Sequence, residues 1–331
     1  MQPGEANKFS TLNKVAALDD TLTARRRGRL PGRLHRLLRR EHGDRTDRSG
    51  YLMVLPYVLH TLIFLGYPLA FAFALIFHRW NIYTPMRYVG LGNIRLLIHD
   101  PLIWRALANT LYFLLIHVPL QLVVSLLFAQ LLNQKIRARA FFRASYFMPV
   151  VVSGVVVTIL WQQLYAYETG LVNVALAWLG AAKIGWLTDP RIAMPAIALM
   201  ATWKNVGLYI VLVLVGLQSI PSHLYEAAEL DGANGWQQFR YITLPSLNPT
   251  IILVLVLSTI GGFSLFIEPY VMTGGGPVGS TLSGILYLYK QAFVFGKMGY
   301  AATIGFFWAI IVFVVVLIQR RVVETAETER M

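Results

Sequence analysis

Few residues in the apolar body of this chain could do chemistry. They are Glu226, Glu229 and Asp231 in the segment Leu224-Tyr225-Glu226-Ala227-Ala228-Glu229-Leu230-Asp231-Gly232-Ala233, and Lys204 and Glu268 inside or beside long apolar stretches. The first group forms a polar island between two apolar runs. Pro221 and Ser222 suit a helix start, Leu224 to Leu230 has helical propensity, and Asp231-Gly232 supplies a break. A second short helix fits Ala233 to Thr243, until Pro245 and Pro249 interrupt it. Such a segment serves equally as an interfacial loop helix or as an element that docks in a partner's groove, and spacing alone does not choose.

Catalytic constellations are not legible. The seven His residues form no His-x-x-x-His pair and no His-Glu-x-x-His metal site. With no Cys, disulfides, thiolate catalysis and Cys-ligated metal are excluded. No Gly-x-x-x-x-Gly-Lys-[Ser/Thr] occurs, so the chain has no recognisable ATP-binding loop, and any energy from ATP has to come from another subunit. The expectation is a protein that is not itself an enzyme, with no cofactor or metal of its own.

The elements that hold these residues are membrane helices. Hydrophobic residues make up 56% of the chain and charged ones 14%, and the mean hydropathy is +0.56, far from a soluble domain of this size. A bilayer core of roughly 30 Å needs about 20 apolar residues in a helix. Five charge-free runs meet this, and a sixth is interrupted only by Lys204. The spacing predicts single helices over 51–77, 106–132, 144–165, 192–217, 247–270 and 299–319. Pro269–Tyr289 is also uncharged, but its Gly-rich centre would leave backbone groups unpaired in lipid, so it reads as an external loop.

Six crossings put both termini on one side. With the N-terminus cytoplasmic, the inside segments hold twelve Lys and Arg in 1–50, four in 133–143, one in 218–247 and three in 320–331, or 20 against 8 outside. The excess favours this orientation. The predicted organisation is a basic cytoplasmic tail over 1–50, a membrane domain over 51–320 with the loop 218–246 in the cytoplasm, and a short cytoplasmic tail over 321–331. In the first tail, Leu30 to Arg40 has the pattern of a basic amphipathic helix on an anionic leaflet, though a tail that merely enforces topology fits the same residues. The net charge of +13 does not point to nucleic acid, because the basic residues sit on a membrane-flanking tail without interleaved aromatics. The first apolar run starts too late and runs too long for a cleaved signal peptide.

Written as Glu226-Ala227-Ala228-x-x-Asp231-Gly232-Ala233, then Phe239, Ile242, Leu244-Pro245 and Pro249, the polar island closely resembles the "EAA" loop of binding-protein-dependent ABC importer permeases. Trp203, Gly207 and Leu217-Gln218-x-Ile220-Pro221 before it, and Tyr270-Val271-Met272-Thr273-Gly274-Gly275-Gly276-Pro277 after it, resemble the carbohydrate branch of maltose type. The likeness runs from Tyr51 to Gln319. It implies an all-α integral membrane protein of six helices with a cytoplasmic coupling helix, in the cytoplasmic membrane of a bacterium or archaeon. It further implies a second homologous permease, two ABC ATPase subunits that bind ATP and Mg, and an external solute-binding protein. Residues Glu226, Ala227, Ala228, Asp231, Gly232, Ala233 and Pro245 would make the ATPase contact, with Gly232 allowing a tight bend.

By the same resemblance the transported ligand passes Ser153, Trp203, Lys204, Asn205, Tyr209, Phe263, Ser264, Phe266, Glu268 and Tyr270. Aromatics beside amides, hydroxyls and carboxylates suit a sugar, oligosaccharide or polyol, although such mixtures also pack helices together. Lys204, about twelve residues into its span, costs on the order of 2.5–3.5 kcal/mol unless it finds water or a partner. It either faces a water-filled path or pairs with Glu268, the one in-span candidate, which is expected nearer the outer surface. Many relatives carry Asp after the Phe of this segment, whereas this chain reads Phe266-Ile267-Glu268, so no ligand contact transfers to residue 267. An ion-driven secondary transporter is the alternative, but it would show buried acidic residues at mid-membrane.

Overall fold

The computed structural model describes residues 50–134 and 139–328. The basic tail with its expected helix at 30–40, and residues 135–138 and 329–331, lie outside the described residues. Among the described residues, five helices are long and apolar enough to cross a membrane, and six if one bent pair counts as a single span.

The chain divides into two units, one ending at Ala70 and the other starting at Phe71. The described part of the first is helix, the start of α1 (Gly50–Leu75). It contains a π turn at Leu62–Gly66. Nearly every apolar side chain here is exposed, including Tyr51, Met53, Phe64 and Leu65, as suits a segment whose solvent is lipid.

In the second unit the chain leaves α1 through a two-stranded ribbon, β1 (His78–Arg79) and β2 (Arg87–Tyr88), paired antiparallel with His78 opposite Tyr88. There follow α2 (Gly92–His99) and α3 (Pro101–Asn133). α3 begins where a helix start is easiest to build: Asp100 accepts from the Leu102 N–H, and Pro101, which lacks an N–H, takes the first helical position. Next come α4 (Arg139–Val151), α5 (Gly154–Leu164), α6 (Leu171–Trp178) and α7 (Ala193–Gln218). α7 is the central post of the bundle and packs against α3, α4 and later α11. Ala193, Ile197, Ala198, Met200 and Val213 on it are fully enclosed.

Close approach of α4 and α7 depends on Gly207, where a Cβ would lie 2.3 Å from the Tyr146 carbonyl oxygen. Small residues are what let helix backbones meet where apolar burial alone gives no drive.

The predicted single helix over 144–165 is broken. Ala144–Val151 and Gly154–Leu164 meet at 107°, with Ser153 in an extended conformation between them. Pro149 lies inside the first half, which runs on to Val151, and removes one backbone donor there. After α8 (Ser222–Leu230) and α9 (Gly235–Gln238), a π turn at Phe239–Thr243 and α10 (Leu244–Ser246) lead almost without interruption into α11 (Asn248–Phe263). The expected interruption at Pro245 and Pro249 does not occur, because each proline falls at the first or second position of a new helical segment, where no N–H is needed.

α11 breaks at Ser264–Phe266 before α12 (Ile267–Met272). The segment expected to be an external loop then contains α13 (Gly284–Tyr289) and a π turn at Lys290–Val294 before α14 (Met298–Thr328). Its backbone is satisfied internally: Ser283 caps α13 by accepting from Leu286 N and donates to Leu265 O at 2.6 Å. Asn109 on α3 donates to Gly279 O and Leu282 O.

Candidate functional site

Two places bring the sequence-selected residues together. The first is the loop between α7 and α10. α8 has Pro221 at its N-cap in an extended conformation. At its other end Gly232 takes φ +79°, the Ala233 N–H donates to Ala228 O at 2.9 Å, and the Gly232 N–H donates to Glu229 O at 3.0 Å. This pair of bonds is a Schellman closure, which needs a left-handed residue and so favours Gly. Two residues on, Asn234 and Gln237 exchange side-chain-to-backbone bonds at 2.9 and 2.8 Å, a capping box for α9. The Tyr225 hydroxyl and Thr243 Oγ1, 2.9 Å apart, tie α8 to the following helix.

The loop is therefore stiff yet buries nothing of α8. Glu226, Ala227, Asp231, Gly232 and Pro245 are exposed, and Ala228 and Ala233 are half-buried. Sequence reasoning passed over Leu230 and Trp236, which stand 91% and 70% exposed beside the carboxylates. A Trp inside a polar loop was the available signal.

The second place is where the two broken spans meet. Lys204 Nζ on α7 lies 3.0 Å from Glu268 Oε1 on α12, with both side chains largely buried. Gly154, the first residue of α5, backs onto this pair: a Cβ there would lie 2.9 Å from Lys204 Nζ. α5 packs on α12, and Gln162 donates to Val271 O and Met272 O, each at 3.3 Å. Of the two open readings of Lys204, the ion pair is the one present.

Trp203 is 44% exposed and touches Trp161 ring to ring at 5.3 Å. Phe266 and Tyr270 stack at 5.3 Å, and both meet Tyr289. Tyr289, from the segment read as a loop, was not selected by sequence. Ser153 and Ser264 are exposed. Asn205 donates to Ala201 O within its own helix. Tyr209 and Phe263 are buried, Phe263 against Trp308, whose indole N–H donates to its carbonyl. Among the described residues no cluster of His, Asp and Glu could hold a metal.

A membrane bundle with two broken spans and a stiff, exposed, acidic loop defines the class of a membrane transport subunit. Residues 52–326 match the family described as binding-protein-dependent transport system inner membrane component, and the chain belongs to that family. It is similar to the lactose transport system permease protein LacF of Rhizobium radiobacter, 36% identical over 82% of this chain and 93% of that protein. It is 38% identical to the arabinooligosaccharides transport system permease protein AraP of Bacillus subtilis, over 81% and 86%. The trehalose/maltose transport system permease protein MalF of Thermococcus litoralis is 35% identical over 82% and 91%. Among solved structures, a chain of a bacterial ABC transporter that imports the acidic polysaccharide alginate superposes with a TM-score of 0.72 at 25% identity, covering 87% of this chain and 99% of that one. The protein is a multi-pass membrane permease of a substrate-binding-protein-dependent ABC importer, with the type I permease fold.

Proposed function

We propose that this permease carries a sugar, oligosaccharide or related polyol into the cell as one half of a heterodimeric pathway. The other half is a second, homologous permease, and two ABC ATPase subunits on the cytoplasmic face bind ATP and Mg. The chain itself hydrolyses nothing. Relatives named for lactose, arabinooligosaccharides and trehalose/maltose support the substrate class, as does the alginate importer, whose complex with a ligand-bound periplasmic protein supports delivery by an external binding protein.

The observation that carries the coupling role is the stiff loop: a capped helix with no buried residue, presenting Glu226, Leu230 and Trp236 to a partner. In this reading it enters a cleft on the ATPase, and closure of the ATPase pair on ATP moves the loop with α7 and α11 as semi-rigid bodies. Both termini are cytoplasmic, as the Lys and Arg distribution favours. The ligand passes the exposed Ser153, Trp203, Ser264 and Tyr270 and the half-buried Phe266, where rings offer stacking and hydroxyls offer hydrogen bonds.

The test is gentle purification of the tagged chain from its native host, with mass spectrometry of stoichiometric partners and an ATPase assay on the same fraction. A second permease and an ATPase are expected, with hydrolysis lost when Glu226 and Gly232 are changed together. A homo-oligomer without ATPase activity would overturn the reading.

A further inference from the structure

A pocket of about 580 Å³ opens between the ribbon after α1 and the turn before α14, lined by Arg79, Trp80, Asn81, Thr84, Lys297 and Tyr300 among others. Its depth follows from its neighbours. One apolar helix ends at Leu75 and another begins at Met298, so the pocket sits where hydrocarbon gives way to water.

The walls are tied firmly. Asn93 Nδ2 donates to Ile76 O at 2.8 Å and His78 O at 3.0 Å, and the Met298 N–H donates to Trp80 O at 2.9 Å. Gly299 lets α14 start hard against the ribbon, since a Cβ there would lie 1.9 Å from His78 O.

Arg79 and Lys297 are exposed. Among the described residues, neither belongs to an ion pair; the two ion pairs join Lys183 to Glu168 and Lys204 to Glu268. Asp100 feels the charge of Lys297, but its own oxygens already accept from the Leu102 N–H and the Tyr287 and Tyr300 hydroxyls. The pocket is left with two cations that lack a matched anion. Of its lining residues, the apolar Leu96 and Phe295 are exposed, to 49% and 57%.

A soluble anion would explain the cations and not the apolar rim. Cations and polar side chains at the boundary, with apolar side chains around them, match a ligand that is anionic at one end and apolar at the other. We propose that this pocket is a headgroup site for an anionic phospholipid of the leaflet in which α1 ends and α14 begins. The phosphate sits between Arg79 and Lys297, Trp80 and Tyr300 flank the glycerol as interfacial aromatics do, and acyl chains lie over Leu96 and Phe295. A zwitterionic headgroup brings its own cation against Arg79 and Lys297 and binds less well. The site requires only that the chain spans a membrane, so it stands or falls separately from the sugar reading.

Native mass spectrometry of the assembled transporter tests it, after incubation with equal amounts of phosphatidylglycerol and phosphatidylcholine. Wild type should retain phosphatidylglycerol on the order of tenfold over phosphatidylcholine, from two basic residues at the site. The pair Arg79→Gln and Lys297→Gln should bring the ratio near one, while Arg191→Gln, an exposed cation elsewhere, should leave it high. Equal retention by wild type overturns the proposal even where a variant fails to assemble. A preference that survives the double change overturns it too. So does a double variant with an unchanged lipid ratio and weakened binding of the external protein, which would assign the two cations to that protein's carboxylates.

Discussion

Lys204 and Glu268, sixty-four residues apart in sequence, close a 3.0 Å ion pair between α7 and α12. The pair has Gly154 at its back, so it stands at the level where the span 144–164 bends. Neither charge is comfortable alone in this setting: each is tolerable because the other is there. Lys204→Met or Glu268→Gln alone should therefore destabilise the purified complex by about 3–5 kcal/mol, and Lys204→Met with Glu268→Leu should recover most of that loss. Thermal unfolding of the four proteins decides it; a double variant as unstable as the worse single one would show that the pair is not the source.

The bend after α8 rests on a left-handed residue. Gly232→Pro cannot reach φ +79° and loses the N–H that bonds Glu229 O. Uptake should be abolished while the protein remains inserted at normal level. Gly232→Asn, which tolerates the left-handed region, should keep a measurable fraction of transport. Uptake at the wild-type rate in Gly232→Pro would remove the bend from the coupling argument.

Leu230 and Trp236 are mostly exposed, and the ring contact of Trp236 with Phe239 at 5.7 Å lies within the same loop. Leu230→Ser and Trp236→Ser should leave the unfolding temperature of the isolated permease within a few degrees of wild type. A buried Trp anchor at an interface is worth about 2 kcal/mol or more, so Trp236→Ser should weaken ATPase association roughly thirty-fold. Titration of ATPase onto permease in detergent reads this directly.

Gly207→Leu forces side-chain atoms into the Tyr146 carbonyl, already 2.3 Å from where a Cβ would lie. Helices α4 and α7 must separate, at a cost of about 1–3 kcal/mol for overpacking. The variant should show lowered yield and a lowered unfolding temperature, and Gly207→Ala a smaller drop of the same sign.

Asp100 joins three elements. Burial pushes its carboxyl up, but bonds from Tyr287, Tyr300 and the Leu102 N–H outweigh burial and hold it below its ordinary value of 3.8. A carboxyl lowered by folding adds stability that is fully present above the unfolded value, about 3.9, and is lost as pH falls through the lower folded value. Asp100→Ala should cost about 0.5–2 kcal/mol at pH 7 as a lost cap. The gap between wild type and variant should shrink below the ordinary carboxylate range. An unfolding series from pH 7 downward with a constant gap would contradict this.

The membrane class, the approximate place of the apolar helices and the nature of the Glu226 loop are set by the sequence, because they depend on local quantities. Run length against bilayer thickness, a helix start at Pro221-Ser222 and a break at Asp231-Gly232 need no knowledge of what lies across the bundle. The break at Ser153 is different: nothing charged marks it, Pro149 alone does not require it, and it is stabilised by α5 packing on α12 far along the chain. Helix in the segment after Thr273 likewise depends on Asn109 and Leu265 supplying partners for its backbone and caps. Sequence left Lys204 with two possible fates, since a buried cation needs relief but does not say from where. Only the tertiary structure, by bringing α12 against α7, decided that the relief is Glu268.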